Sequence, residues 1–135
     1  MATVSDYFEV ISTQGNVLRI ALKGFWSNEV IEQFGPAIQT AFKDAVVSLG
    51  GKRFILVADW SESPVFGDKA QEHLAESMRI FKEHSGYKVI EIVPKALVRI
   101  GLKQAAAKSG EDNFRIVVAT HQEAQETLDR LVADL

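Results

Sequence analysis

Residues 52–64 read KRFILVADWSESP, and this stretch decides the fold. It opens with an unbroken apolar run over residues 54–58 and then reaches a carboxylate at Asp59. A short apolar run bounded by turn-forming residues is typical of a strand that is buried on both faces and lies in the middle of a sheet. Open α/β sheets tend to place a binding crevice at the carboxyl end of such a strand, here at Asp59 and Trp60. The sequence therefore predicts a central strand with a candidate site at its end.

Two β-prone runs precede this strand, over residues 7–13 and 17–23. Gly15 and Asn16 lie between them, and both residue types tolerate a positive φ. This pattern predicts an antiparallel hairpin at the start of the chain.

Segments with apolar residues at helical spacing alternate with further strand-like runs. Ser27 and Thr120 are suited to cap the first and last of these helices. Gly35-Pro36 interrupts the first helical pattern, and because proline lacks a backbone donor we expect the helix to kink or to restart there, the second case giving a separate short helix over residues 27–34. The order β-β-α-β-α-β-α-β-α predicts an α/β fold with a single-layer, mixed, mostly parallel sheet, an N-terminal antiparallel hairpin and about four helices. Residues 1–135 are expected to form one domain.

Composition narrows the function classes. The 135 residues are 47% hydrophobic and 24% charged, which is ordinary for a soluble globular protein. The absence of cysteine excludes disulfides, thiolate metal sites and thiol catalysis. A net charge of −3 disfavours nucleic acid as a partner. No signal-peptide pattern opens the sequence and no apolar run approaches the ~20 residues of a membrane span, so a cytoplasmic location is expected.

Metal and cofactor motifs do not stand out. His73, His84 and His121 lie in different segments without ligand spacing, and we expect all three to be surface residues. No glycine-rich phosphate or dinucleotide fingerprint follows a predicted strand. The sequence therefore predicts neither a metal nor a cofactor.

A serine hydrolase is the enzymatic alternative. Ser61 and Ser63 follow the central strand, with Asp59 and His73 as candidate partners. Neither serine has the glycine frame of a nucleophile elbow. The competing interpretation is that Asp59 and the serines satisfy backbone groups of a loop.

Aromatic residues are the more informative set. Phe25, Trp26, Trp60 and Phe66 are all expected in loops that follow strands. Exposed aromatic rings are costly unless they cover the ends of the core or line a pocket, and both interpretations stay open. The pocket hypothesis places a site at the carboxyl end of the sheet, covered by residues 27–34 as a flap. Its candidate residues are Trp26, Phe34, Asp59, Trp60 and Phe66.

Three stretches carry a resemblance to a known family: GFWSNEVIEQF at residues 24–34, ILVADWSESP at 55–64 and RIVVATHQEAQETL at 115–128. Together with the order of elements, they resemble the SpoIIAA-like branch of the STAS superfamily. STAS denotes the domain shared by sulfate transporters and anti-sigma-factor antagonists. The resemblance extends over residues 7–135 and implies the same α/β fold.

The resemblance also bears on regulation. In the phosphorylated anti-sigma-factor antagonists, an Asp-Ser pair opens the helix after the central strand, and the serine is the switch. The matching place here reads Gly67-Asp68-Lys69, so Lys69 stands where that serine would be. Lysine has no hydroxyl to receive a phosphate. The resemblance therefore implies a protein that does not use this switch.

The SpoIIAA-like branch is similar to lipid-carrier folds, which implies an apolar ligand or contact with membranes. The first hypothesis is a non-enzymatic STAS-like module that binds a small amphipathic ligand or a membrane surface. This hypothesis places the module in the cytoplasm, and binding to a membrane surface would add peripheral contact with the inner membrane. The alternative is a protein-interaction module of the anti-sigma-factor antagonist type that lacks the phosphorylatable serine.

Overall fold

A computed structural model describes residues 2–62, 68–108 and 110–135. Five strands form one sheet: β1 (Phe8–Gln14), β2 (Val17–Lys23), β3 (Phe54–Glu62), β4 (Gly86–Ile92) and β5 (Arg115–Val118). They lie side by side in chain order, with β1 and β2 antiparallel and the remaining pairs parallel. The predicted fold class, a mixed and mostly parallel sheet with an N-terminal hairpin, is confirmed.

Four α-helices in the described part of the chain cover this sheet: α1 (Asn28–Val47), α2 (Asp68–Glu83), α3 (Ala96–Lys108) and α4 (His121–Val132). Right-handed connections between successive parallel strands place α1, α2 and α3 on one face of the sheet, and α4 packs on the other. We call these the α1–α3 face and the α4 face. None of the described helices has the length and apolar character that crossing a bilayer requires.

The central strand β3 is buried on both faces, as its sequence predicts. Phe54, Leu56 and Ala58 point into the core under the α1–α3 face. Ile55 and Val57 point into the core under α4. The chain therefore has two apolar layers, and β3 contributes to both.

One expectation about α1 is wrong. Residues 27–34 do not form a separate helix, because α1 (Asn28–Val47) is one continuous helix that contains Pro36. Ser27 caps its start, with the Val30 amide donating to Ser27 Oγ at 3.2 Å. Proline removes one helical hydrogen bond, but apolar side chains on both sides of it pack into the same core and hold the helix together.

Leu56 tests the central position of β3. Its side chain is 1% exposed, so Leu56→Ala is expected to lower the free energy of unfolding by about 2–5 kcal/mol in urea melts. Ile11→Ala is the control, because Ile11 is 53% exposed and should change stability by less than about 1 kcal/mol. A small loss for Leu56→Ala would contradict the two-layer core.

Candidate functional site

A cavity of about 610 Å³ lies between the sheet and the helices on the α1–α3 face. Strands β1 to β4 supply its floor with mainly apolar side chains, and α1, α2 and α3 supply its walls. The apolar part of the lining consists of Phe8, Ile20, Leu22, Trp26, Ile38, Phe42, Leu56, Ala58, Trp60, Leu74, Ala75, Met78, Val89, Val98, Gly101 and Leu102.

The lining reaches the surface between α2 and α3. Gln71 and Ala75 on α2 line the cavity and are exposed, and so is Gly101 on α3. Apart from the adjacent residues and the backbone of α3 itself, a Cβ atom at Gly101 would meet no atom within 4 Å. The cavity therefore opens to solvent along the groove between these two helices.

The two tryptophans meet inside this cavity. Trp26 is 1% exposed and Trp60 is 6% exposed, and their ring centroids lie 6.0 Å apart. The Trp26 indole Nε1 donates to the backbone oxygen of Lys23 at 2.9 Å, which holds the ring in place. Trp60 belongs to β3, which continues to Glu62, and not to the loop in which the sequence predicted it. The structure thus brings together two of the predicted pocket residues.

His73 is buried, so its predicted surface position is wrong. It lies on α2, is 9% exposed and lines the cavity, with its ring edge-on to Trp26 at 5.6 Å between centroids. Its Nε2 has no hydrogen-bond partner among the residues that the structure describes. Burial lowers the pKa of His73, although the charge of Glu76 opposes this, so the imidazole is neutral at neutral pH.

A charged trio lines the cavity on the side of β4 and β5. Arg115 on β5 donates from Nε and Nη2 to the two carboxylate oxygens of Glu91 on β4, at 2.6 and 3.1 Å. Its Nη1 donates to Glu111 Oε1 at 3.1 Å. Burial favours a lower pKa for Arg115, but the hydrogen bonds and charge of Glu91 and then Glu111 raise it overall. A guanidinium held in this way stays charged while it is mostly buried.

The remaining candidate residues lie elsewhere. Phe34 packs on Tyr7, with ring centroids 5.3 Å apart, and is not among the residues that line the cavity. Asp59 belongs to the α4 face, because successive side chains of a strand point to opposite faces and Trp60 points to the other one. Phe66 lies outside the described residues. Since α1 is one helix, residues 27–34 do not form the predicted flap.

Asp59 forms its own polar cluster at the end of β3. Its Oδ1 accepts from the Ser61 amide at 2.9 Å and from Ser61 Oγ at 2.6 Å, and its Oδ2 lies 2.9 Å from His121 Nε2. Burial favours a higher pKa for Asp59, but these hydrogen bonds and the His121 charge lower it overall. The Ser61 hydroxyl donates to a carboxylate and not to an imidazole, which is not the arrangement that activates a serine nucleophile. Ser63 lies outside the described residues.

Lys69 joins the starts of two helices. Its backbone amide donates to Asn28 Oδ1 at 3.1 Å, and its ammonium group forms an ion pair with Glu32 on α1. At the position that the family resemblance matches to a phospho-acceptor, this chain therefore has a cation engaged with α1. In the described part of the chain, no group of three or more His, Asp or Glu side chains is placed to hold a metal ion.

Sequence reasoning missed the polar residues of the cavity. Glu91 interrupts the apolar run of residues 89–93, and a charged residue inside such a run signals a buried charge that needs a partner. Arg115 opens the next strand and provides that partner. The sequence thus indicates a buried charge at Glu91. Its partner can be identified only when β4 and β5 are known to be neighbouring strands.

Solved structures that are similar to this chain include two anti-sigma-factor antagonists and one further protein with a SpoIIAA-like fold. The unphosphorylated form of SpoIIAA is 17% identical in sequence, and the match covers 92% of this chain and 96% of the SpoIIAA chain with a TM-score of 0.57. An anti-sigma-factor antagonist from Mycobacterium paratuberculosis is 18% identical over 90% of this chain and 94% of its own, with a TM-score of 0.58. A protein with a SpoIIAA-like fold from Shewanella loihica is 16% identical over 90% and 91%, with a TM-score of 0.56.

These likenesses show that the chain has the STAS/SpoIIAA-like fold that its sequence predicted. At such low identity they establish the fold alone. No family model matches the chain, and neither does any curated protein sequence.

The buried imidazole predicts a pH dependence of stability. Because the pKa of His73 is lowered in the folded state, the unfolded chain binds a proton first as the pH falls. Stability is therefore expected to fall below about pH 6.5, by at most about 1.4 kcal/mol per pH unit for one proton. In His73→Phe this contribution disappears, so the variant should lose less stability than the natural protein between about pH 8 and pH 5. Parallel profiles in urea melts would contradict a buried neutral His73.

Proposed function

We propose that this chain is a non-enzymatic binding module that holds one small amphipathic molecule in the cavity between the sheet, α2 and α3. The observation that carries the proposal is the cavity itself, with about 610 Å³ of volume, mainly aliphatic and aromatic walls and polar groups at its sides. Small-molecule sites commonly have about 300–1,000 Å³ and this composition. Protein interiors are otherwise densely packed, so accessible space of this size between the sheet and the helices favours a binding site.

The energetics of such an occupant are favourable. Each methylene group moved from water to an apolar wall contributes about 0.8 kcal/mol. A chain of about ten methylenes would contribute about 8 kcal/mol, from which the entropic cost of association is subtracted, so micromolar affinity is the upper limit for such a chain. Trp26 and Trp60 would supply the flat apolar surfaces against which the chain packs.

The surface of α3 supports a membrane as the source of this molecule. Leu97 is 84% exposed and Ile100 is 51% exposed, and both lie on the helix that borders the opening. Residues 94–108 contain four basic side chains and no acidic one. Exposed apolar side chains among basic residues are typical of helices that rest on anionic lipid surfaces. Contact through α3 would bring the opening of the cavity against the bilayer.

A protein-interaction module is the second candidate, and the likeness of the fold to two anti-sigma-factor antagonists favours it. Such a module would work without a serine at position 69, where Lys69 is paired with Glu32. The two candidates differ in the surface that they use, because only the first requires the cavity.

Filling the cavity tests the proposal. Ala58 is 4% exposed on β3 and lines the cavity, so Ala58→Phe would place a ring in the volume that a ligand needs. Losing contact with about two methylenes is expected to weaken binding of dodecyl lysophosphocholine roughly tenfold or more. Binding can be followed by the emission of Trp26 and Trp60 below the micelle concentration.

The matched control is Ala21→Phe. Ala21 lies on the neighbouring strand and belongs to the α4 face, so the same change there should leave the affinity unaltered. Unchanged emission and melting temperature of the natural protein at saturating lipid would contradict the proposal. Equal binding by the natural protein and Ala58→Phe would show that the lipid binds outside the cavity.

A further inference from the structure

The two polar sides of the cavity differ in charge. His73 is neutral and its Nε2 has no hydrogen-bond partner among the described residues, although the side chain is nine-tenths buried. On the other side, one guanidinium is shared by two carboxylates, those of Glu91 and Glu111. Of the described residues that line the cavity, only Glu91, Glu111 and Arg115 carry a full charge apart from the titratable His73. With His73 neutral, the lining has one negative charge in excess.

This excess lies where water screens it poorly. The side chain of Glu91 is 3% exposed, that of Arg115 is 14% exposed and that of Glu111 is 20% exposed. Three donors of Arg115 are already used by these carboxylates. An incoming carboxylate would therefore meet a guanidinium whose charge is already balanced and a second carboxylate that repels it.

An uncharged hydroxyl has no such penalty. It can donate to a carboxylate oxygen of the trio, and it can either donate to or accept from the neutral imidazole of His73. A buried polar atom without a partner gains from such a bond, because the cost of its desolvation has already been incurred in folding. Both polar sides of the cavity thus match the same kind of head group.

We infer that the cavity selects uncharged, hydroxyl-bearing amphiphiles, such as a monoacylglycerol, over amphiphiles with an anionic head. This inference rests on the proposed function, since it names the ligand class of the same cavity. Glu111 and Glu91 act as specificity determinants by excluding free fatty acids, and His73 supplies a hydrogen bond to the head group.

The experiment compares two probes with the same acyl chain, monododecanoylglycerol and dodecanoate, at about pH 8, where the carboxyl group of dodecanoate is ionised. Their dissociation constants are measured by the emission of Trp26 and Trp60 below the micelle concentration. The glycerol ester is expected to bind at least about tenfold more tightly. In Glu111→Gln, which makes the trio neutral, the ratio should fall to about threefold or less.

Glu126→Gln is the matched control. Glu126 is exposed on α4, away from the cavity, and accepts from Gln122 at 3.3 Å, so this change should leave the ratio as in the natural protein. Thermal melts establish that each variant is folded. Equal affinities, tighter binding of dodecanoate, or a ratio that Glu111→Gln leaves unchanged would overturn the inference while the proposed function stands. Binding of neither probe, nor of dodecyl lysophosphocholine, would overturn both.

Discussion

The burial of β3 between two layers is the constraint on which the rest of the structure depends. Its side chains alternate between the core under α1–α3 and the core under α4, so a shift of one residue would exchange the two sets. The alternation continues beyond the apolar run, which sends Trp60 into the cavity and Asp59 to the opposite face. The identity of the residues that meet in the cavity therefore follows from the register of one strand.

Small side chains account for the cavity. Ala58 on the sheet, Ala75 on α2 and Gly101 on α3 all line it, at positions where larger residues would fill the space. Small side chains at these positions cost stability, because the atoms around the cavity have fewer packing partners on one side. The buried trio adds a second cost, the desolvation of three charges, which their mutual hydrogen bonds offset. A binding function would give both features a common physical reason.

The sequence predicts the fold well because the fold follows local patterns. The Gly15 turn, the cap at Ser27 and the apolar run of β3 each depend on neighbours within a few residues. The sequence does not predict the features that depend on packing between elements distant in the chain. Helix α1 passes Pro36 because its apolar side chains share one core, and His73 is buried because α2 faces Trp26. The Glu91–Arg115 ion pair can be predicted only if β4 and β5 are known to be neighbouring strands. Asp59 could have been assigned to the opposite face from Trp60 by strand alternation alone.

The most direct measurement is a set of intermolecular nuclear Overhauser effects between a bound dodecyl chain and the protein. If the cavity is the binding site, the methylene protons of the chain should show contacts with the indole protons of Trp26 and Trp60 and with the methyl group of Met78, all of which line it. Contacts confined to Leu97 and Ile100 on the exposed side of α3 would mean that lipid only adsorbs to the surface, and would contradict an internal site.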